Sequence, residues 1–326
     1  MKIFPRRRLL HLVAAAAALP TVTRSVLALD YPTRPVRLIS GFPAGGPSDI
    51  LARLIGPSLS QRLGQSFVVQ NRPGAASNVA TELVLHGAAD GYTLLVITSA
   101  NTINATLYDK LNFNFVADAA PVAGLIRVPQ VVEVHPSVPV QTVPELIAYA
   151  KAHPGKLNMA SSGIGTVQHV AGELFKFMTG IDMLHVPYRG QSPALLDMLS
   201  GRDQVMFDTA PASIQYLKAG TLRPLAVTTA SRFEALPNVP VVADFVPGYE
   251  SSAIYGIVAP KGTPVQIIER LNREISAAVA DPGMKARLTE LGGTVIVGTP
   301  AEFGKVIADE TDKWAKVIKF ANIKPE

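Results

Sequence analysis

Two rhythms of apolar residues alternate along the 326-residue chain. Short runs rich in β-branched residues predict buried strands at V-R-L-I-S (36–40), S-F-V-V-Q (66–70) and Y-T-L-L-V-I (92–97). Between the first two, Leu51, Leu54, Ile55, Leu59 and Leu63 recur at helical spacing, with Ser48 or Asp49 as the expected N-cap and Gly64 as terminator. A further helix is expected over 81–86. The same order returns later: strand V-V-E-V (131–134), helix Val143 to Ala152 closed by His153-Pro154-Gly155, then strand L-N-M-A-S (157–161). A helix through Met178 and the strands V-M-F-D (205–208) and L-A-V-T-T (225–229) follow. The tail carries two helical stripes, Ile268/Leu271/Ile275/Val279 and Phe303/Val306/Ile307/Trp314/Val317/Ile318, both read as core packing. Strand–helix–strand repetition predicts an α/β fold with parallel sheet covered by helices. Many of the 26 prolines sit at block edges, where they punctuate elements.

Composition sharpens this picture at the N-terminus. With 48% hydrophobic and 17% charged residues, the chain can bury a full core, and its length suggests two lobes. Lys2, Arg6, Arg7 and Arg8 precede the apolar run Leu9 to Leu19, and V-L-A ends at Ala28. That order predicts a cleaved export signal over 1–28, since the apolar run is too short to span a bilayer. R-R-R-L-L resembles a twin-arginine signal, and general secretory export fits equally. Residues 1–28 hold five basic groups and no acidic one, so the mature chain carries 25 of each sign. The basic character therefore belongs to the leader, and nucleic-acid binding loses its compositional support. The absence of cysteine excludes thiolate chemistry and disulfides.

Two glycine-rich loops carry the chemistry. G-F-P-A-G-G-P-S-D (41–49) and S-S-G-I-G-T (161–166) each join a strand to a helix. A helix N-terminus leaves backbone N–H groups unpaired and adds partial positive charge, and glycines admit an anion to them. One such loop can be a plain tight turn; two in corresponding halves suggest an anion clamp. Neither loop has the lysine of a phosphate-binding P-loop. A dinucleotide fingerprint from Gly163 meets Gln168 where it needs glycine, and no G-x-S-x-G elbow surrounds Ser161 or Ser162. His169 and Glu173 share a helical face, but without H-E-x-x-H or cysteine a structural role is expected and no metal or other cofactor is implied. His185 is read as structural and Arg189 as a solvated loop residue that could meet an acidic ligand. Asp208 ends an apolar strand, where it either positions a ligand or caps a turn. No nucleophile–base–orienter set appears.

Across the mature chain the sequence resembles the substrate-binding components of tripartite tricarboxylate transporters, the Bug family of periplasmic receptors. The strings that carry the resemblance run in order, from Y-P-T-R-P-V-R-L-I (31–39) through F-P-A-G-G-P-S-D, L-G-Q-S-F-V-V-Q-N-R-P-G-A and D-G-Y-T-L-L. They continue with H-P-G-K-L-N, S-S-G-I-G-T-V-Q-H, H-V-P-Y-R-G, M-F-D, L-A-V-T-T-A-S-R, L-P-N-V-P, P-G-Y-E and A-P-K-G-T-P. The resemblance implies a type II periplasmic-binding fold of two α/β lobes, about 29–128 with 225–326 and about 129–224, with the ligand in the cleft between them. It implies ligand contacts from Phe42, Ala44, Gly45, Gly46 and Ser48 in the first loop, and from Ser162, Gly163, Gly165, Thr166 and His169 in the second. Ser99, Tyr188, Gly190 and Asp208 would line the rest. The family commonly reads P-G-A-G-G-N-I-G where this chain has P-G-A-A-S-N-V-A (73–80), so Ala76, Ser77 and Ala80 replace glycines and the part played by Asn78 is open. The implied role is a monomeric, non-enzymatic receptor that delivers a small organic acid to the membrane components of such a transporter. An exported α/β enzyme acting on a small carboxylate, or a receptor feeding a sensor kinase, are the competing readings.

Overall fold

The strands form where the apolar runs permit burial on both faces, and their side chains alternate between two cores. Leu38, Leu94 and Val96 enter one cluster, whereas Ile39, Leu95 and Ile97 enter another on the opposite face. The computed structural model describes residues 30–325. The leader, its twin-arginine-like string and the cleavage expected near Ala28 lie outside the described residues.

In chain order the elements begin with β1 (Val36–Ser40), α1 (Pro47–Leu63), β2 (Phe67–Asn71), α2 (Asn78–Leu85), β3 (Thr93–Thr98) and α3 (Ser99–Leu107). The single-turn α4 (Phe115–Asp118) leads into the long strand β4 (Ala119–Val134). Then come α5 (Val143–Ala152), β5 (Asn158–Ser161), α6 (Val167–Thr179), β6 (Leu184–Pro187) and α7 (Gln191–Ser200). They are followed by β7 (Val205–Thr209), α8 (Ala210–Lys218), β8 (Arg223–Val227) and β9 (Ser252–Pro260). α9 (Val265–Ala280), α10 (Pro282–Glu290), β10 (Thr294–Val295) and α11 (Pro300–Phe320) complete the chain.

The sheet order is β2-β1-β3-β9-β4-β7-β5-β6, with β8 and β10 also pairing to β4. Parallel pairing holds where the sequence pattern predicts it, β1 with β2 and β3, and β5 with β6 and β7. β4 and β9 instead run antiparallel to each other and to β7 and β3 respectively, which makes the sheet mixed.

The expected strand 131–134 proves to be only the end of the 16-residue β4. Within it, register shifts lie beside Pro121 and Gly124, residues that ordinarily interrupt a strand. β9 has no counterpart in the sequence pattern, because Gly256 interrupts its apolar run. A Cβ at that position would overlap the ring of Phe303, so the glycine is what lets α11 pack there.

β4 spans both halves of the sheet. Its first part pairs with β9 through Pro129, and its last part pairs with β7 and β8 from Gln130 onward. Val227 hydrogen-bonds into the stretch that carries Val242, Val246 and Tyr249, residues that join the core of the β5–β7 half. Residues 227–249 are thereby tied to the β5–β7 half. Where β4 and the returning segment cross, Gln130, Thr228 and Ser251 bond to one another: Gln130 N to Thr228 Oγ1 (3.0 Å), Thr228 Oγ1 to Ser251 O (2.7 Å) and the Ser251 hydroxyl to Gln130 Oε1.

Candidate functional site

The first loop folds as a turn into α1, with Gly46 as N-cap and Pro47 in the first helical turn. Neither expected N-cap serves. Ser48 Oγ bonds Ser40 Oγ (2.9 Å), while Asp49 accepts from the Gly45 N–H (3.0 Å) and pairs with Arg53 (2.9 Å). Those bonds hold the Asp49 carboxyl below its ordinary range against the opposing effect of burial. The second loop closes as expected onto α6, whose N-cap Thr166 accepts from the His169 N–H. Two further helices begin at the same place: α3 behind its N-cap Thr98, and α7 behind Gly190.

These four N-termini converge on one small cavity. Its wall comprises Phe42, Gly46, Pro47 and Ser48 from the first loop and the start of α1, Thr98 to Ala100 from the start of α3, Ser162 from the second loop, Val167 and Gln168 from the start of α6, Gln191 from α7, and Ala253 and Tyr255 from β9. No charged side chain stands on this wall. α1 and α7 have no side-chain cap, so the N–H groups of their first turns are left without a capping side chain at the cavity edge. The polar side chains add donors. Ser162 Oγ donates to Gln168 Oε1 (2.8 Å), and Thr209 Oγ1 donates to Gln191 Oε1 (3.2 Å). With their oxygens occupied, both glutamines present N–H groups.

A wider cavity shares Phe42 and Ser162 with the inner one and is lined further by Gly163, Tyr188 and Gly190. Arg189 is the charged residue on its wall, together with Ala75 and Ala76 from the segment that departs from the family pattern.

The fifteen expected ligand residues divide by position. Phe42, Gly46, Ser48, Ser99 and Ser162 line the inner cavity; Gly163, Tyr188 and Gly190 line the outer one. Ala44, Gly45, Asn78, Gly165, Thr166, His169 and Asp208 lie on neither wall. Several of these instead fix the loops. Ala44 O accepts from Ser192 Oγ (3.3 Å), Asn78 Oδ1 accepts from Asn104 (2.9 Å), and Gly165 N–H donates to His169 Nδ1 (3.3 Å). His169 is buried and stacks on His185 at 4.3 Å between ring centres; burial, with His185 and Lys176, pushes it down to about 3. Glu173 pairs with Lys176 (2.9 Å), and among the described residues no cluster of His, Asp or Glu could hold a metal. Tyr188 turns its hydroxyl away to Asp197 and Asp203, 2.6 Å from each. Asp208 stands one layer behind the wall, fully buried, and accepts from Gln191 Nε2.

Sequence reasoning passed over Gln168, Gln191, Thr98 and Tyr255. Gln168 drew attention only as the residue that breaks a dinucleotide fingerprint. Its place in the first turn of a loop-initiated helix was the available signal; Tyr255 was hidden with β9.

A cleft roofed by two α/β halves on shared strands, lined by donors from both, defines a solute-binding protein of the periplasmic-binding class. The chain belongs to the tripartite tricarboxylate transporter family receptors, whose family model matches residues 51–323. Among curated proteins it is 34% identical to Protein BugT of Bordetella pertussis, over 96% of this chain and 97% of that one. Among solved structures it is 39% identical to R. palustris Rpa4515 with adipate, at a TM-score of 0.88 covering 91% of this chain and 100% of that one. MatC from Rhodopseudomonas palustris with bound malate is 29% identical, at a TM-score of 0.84 covering 88% and 100%.

Proposed function

We propose that this receptor captures a small organic acid outside the cytoplasm and delivers it to the membrane components of a tripartite tricarboxylate-type transporter. The observation that carries the reading is the convergence of four helix N-termini, from both halves, on a cavity whose wall bears donors and no charge. Partial positive charge at the helix ends and the amides of Gln168 and Gln191 suit a carboxylate without needing an arginine. An acid with a second carboxylate can extend it through the shared Phe42–Ser162 opening toward Arg189. Adipate and malate in two solved relatives support a dicarboxylate.

The export signal over 1–28 and the family's periplasmic receptors support an extracytoplasmic location. We divide the mature chain at Pro129–Gln130 and again at Ser251–Ser252, so that one lobe comprises about 130–250 and the other the remainder. The lobes hinge where Gln130, Thr228 and Ser251 bond.

Thermal shift of the mature chain against organic acids, with matched amides, tests the reading. An acid at about a hundred times its dissociation constant stabilises the fold by roughly 2.7 kcal/mol. Acids that raise Tm while their amides do not support the carboxylate cradle; a ligand-free sample indifferent to every acid refutes it. Turnover of a bound acid by the isolated protein would favour the enzyme reading.

A further inference from the structure

Behind the donor wall lies a feature that ligand capture alone does not require. Glu133 on β4 and Asp208 on β7 lie on the same face of the sheet, with Val131 opposite Asp208 and Met206 opposite Glu133. Both are fully buried, and Glu133 Oε1, Glu133 Oε2 and Asp208 Oδ2 have no hydrogen-bond partner. Two carboxylates so placed cannot both ionise cheaply.

Among the described residues no basic group contributes to the electrostatics of either carboxyl. α8 covers this face with buried Ser213, and its basic residue Lys218 is exposed. Asp197 of α7 is held by Tyr188 and Arg202, and Arg223 of β8 donates to the carbonyls of Val138 and Val140. From β9 the Tyr255 phenol approaches Asp208, and from β6 His185 bonds Ser161. Burial and then the Asp208 charge push Glu133 well up. Burial pushes Asp208 up to about 7, held back in part by the Thr209 N–H and the nearby Gln168 amide and Ser213 hydroxyl.

Gln191 links the pair to the cavity by a direct hydrogen bond. Gln191 gives one N–H to Asp208, its oxygen is taken by Thr209, and its other N–H remains for the cleft. We propose that Asp208 is a positioning residue that fixes the donor face of Gln191, and that the Asp208–Glu133 pair takes up a proton when an acid anion enters the cleft. This rests on the acid-binding reading above. An anion one side chain away disfavours a charged pair, so the occupied cleft holds the proton more tightly. By linkage, binding then draws a proton from solvent and weakens as pH rises.

Two measurements test this, one of them without ligand. A group whose pKa is raised by folding stabilises most below its unfolded value, near pH 4, and loses that contribution as pH rises through about 7. The Tm of Asp208→Asn, and of Glu133→Gln, relative to wild type should therefore climb between about pH 4 and pH 7. A flat difference for both variants overturns the proposal. The second measurement is calorimetric titration with adipate and malate near neutral pH, in phosphate and in Tris, whose ionisation heats differ. Wild type should show a buffer-dependent heat that reports proton uptake, and its dissociation constant should rise by up to about tenfold per pH unit above neutrality. Asp208→Asn combined with Glu133→Gln should bind with heats that no longer depend on buffer. Binding with buffer-independent heat in wild type overturns the inference and leaves the acid-binding reading standing. Absence of binding by these and every other acid of the thermal-shift panel overturns the acid-binding reading itself.

Discussion

Ala75, Ala76 and Ser77 hold φ angles of 45°, 47° and 76°, a region that glycine enters without cost and L side chains do not. Two of these, Ala76 and Ser77, are positions where the family commonly carries glycine, so this chain keeps the backbone shape and bears strain. Ser77 adds a buried hydroxyl with no partner, accommodated only because Gly41 lacks a Cβ that would overlap it. Ser77→Gly should therefore raise stability by about 1 kcal/mol, read as a higher urea midpoint at unchanged slope. The donor wall makes a separate demand on single residues. Gln168→Leu keeps the volume and removes an N–H offered to the ligand, so acid affinity should fall roughly tenfold or more. The variant also orphans the buried Ser162 hydroxyl, so its Tm without ligand should fall as well and affinity is compared on folded protein. Arg189→Ala should weaken dicarboxylates more than monocarboxylates, which paired titrations with adipate and its half-amide would show.

Among the elements, β4 has the most consequences, because one strand serves both halves. Gln130, at its crossing point, is fully buried and satisfied from several directions: its amide donates to Phe207 O (2.9 Å) and its oxygen accepts from the Ser251 hydroxyl. Gln130→Ala orphans that carbonyl and that hydroxyl, with an expected loss on the order of 2–4 kcal/mol in chemical denaturation. α6 supplies a pH-dependent contribution of the opposite sign to the carboxyl pair. His169 is neutral in the folded state, so its stabilising effect is complete above the unfolded histidine value near 6.5 and is lost as pH falls toward about 3. His169→Gln should flatten that acid-side decline, measured as Tm across the interval against wild type.

At the scale of the whole molecule, the two halves meet across the cleft through the loops that build it. Val167 and Val170 of α6 join the core of the β1–β3 half, Gly190 approaches the Pro43 ring, and Ser192 bonds Ala44 O. These contacts tie the loops of the two halves together beside the cavity. Hinge closure on binding should lower the radius of gyration in small-angle scattering when an effective acid is added. Equal radii with and without a saturating acid would mean that the halves do not open.

The amino-acid pattern by itself determined the local elements, because 2.0- and 3.6-residue periodicity and glycine or proline punctuation are properties of neighbouring residues. α5 matches its expected limits, Gly64 ends α1 in the left-handed conformation, and the two glycine loops fall between strand and helix as read. Chain-wide resemblance then supplied the family. Tertiary structure alone decided what meets what. Nothing local marks β9 as the strand that carries Tyr255 to the cavity, nor Pro129–Gln130 as the place where β4 changes partners. Recognition through backbone N–H groups leaves no residue signature, and a buried carboxyl pair needs two strands far apart in sequence. Asp208 was legible as a carboxylate at a strand end; that it faces Glu133 and stands behind Gln191 follows only from the antiparallel register of β4 with β7.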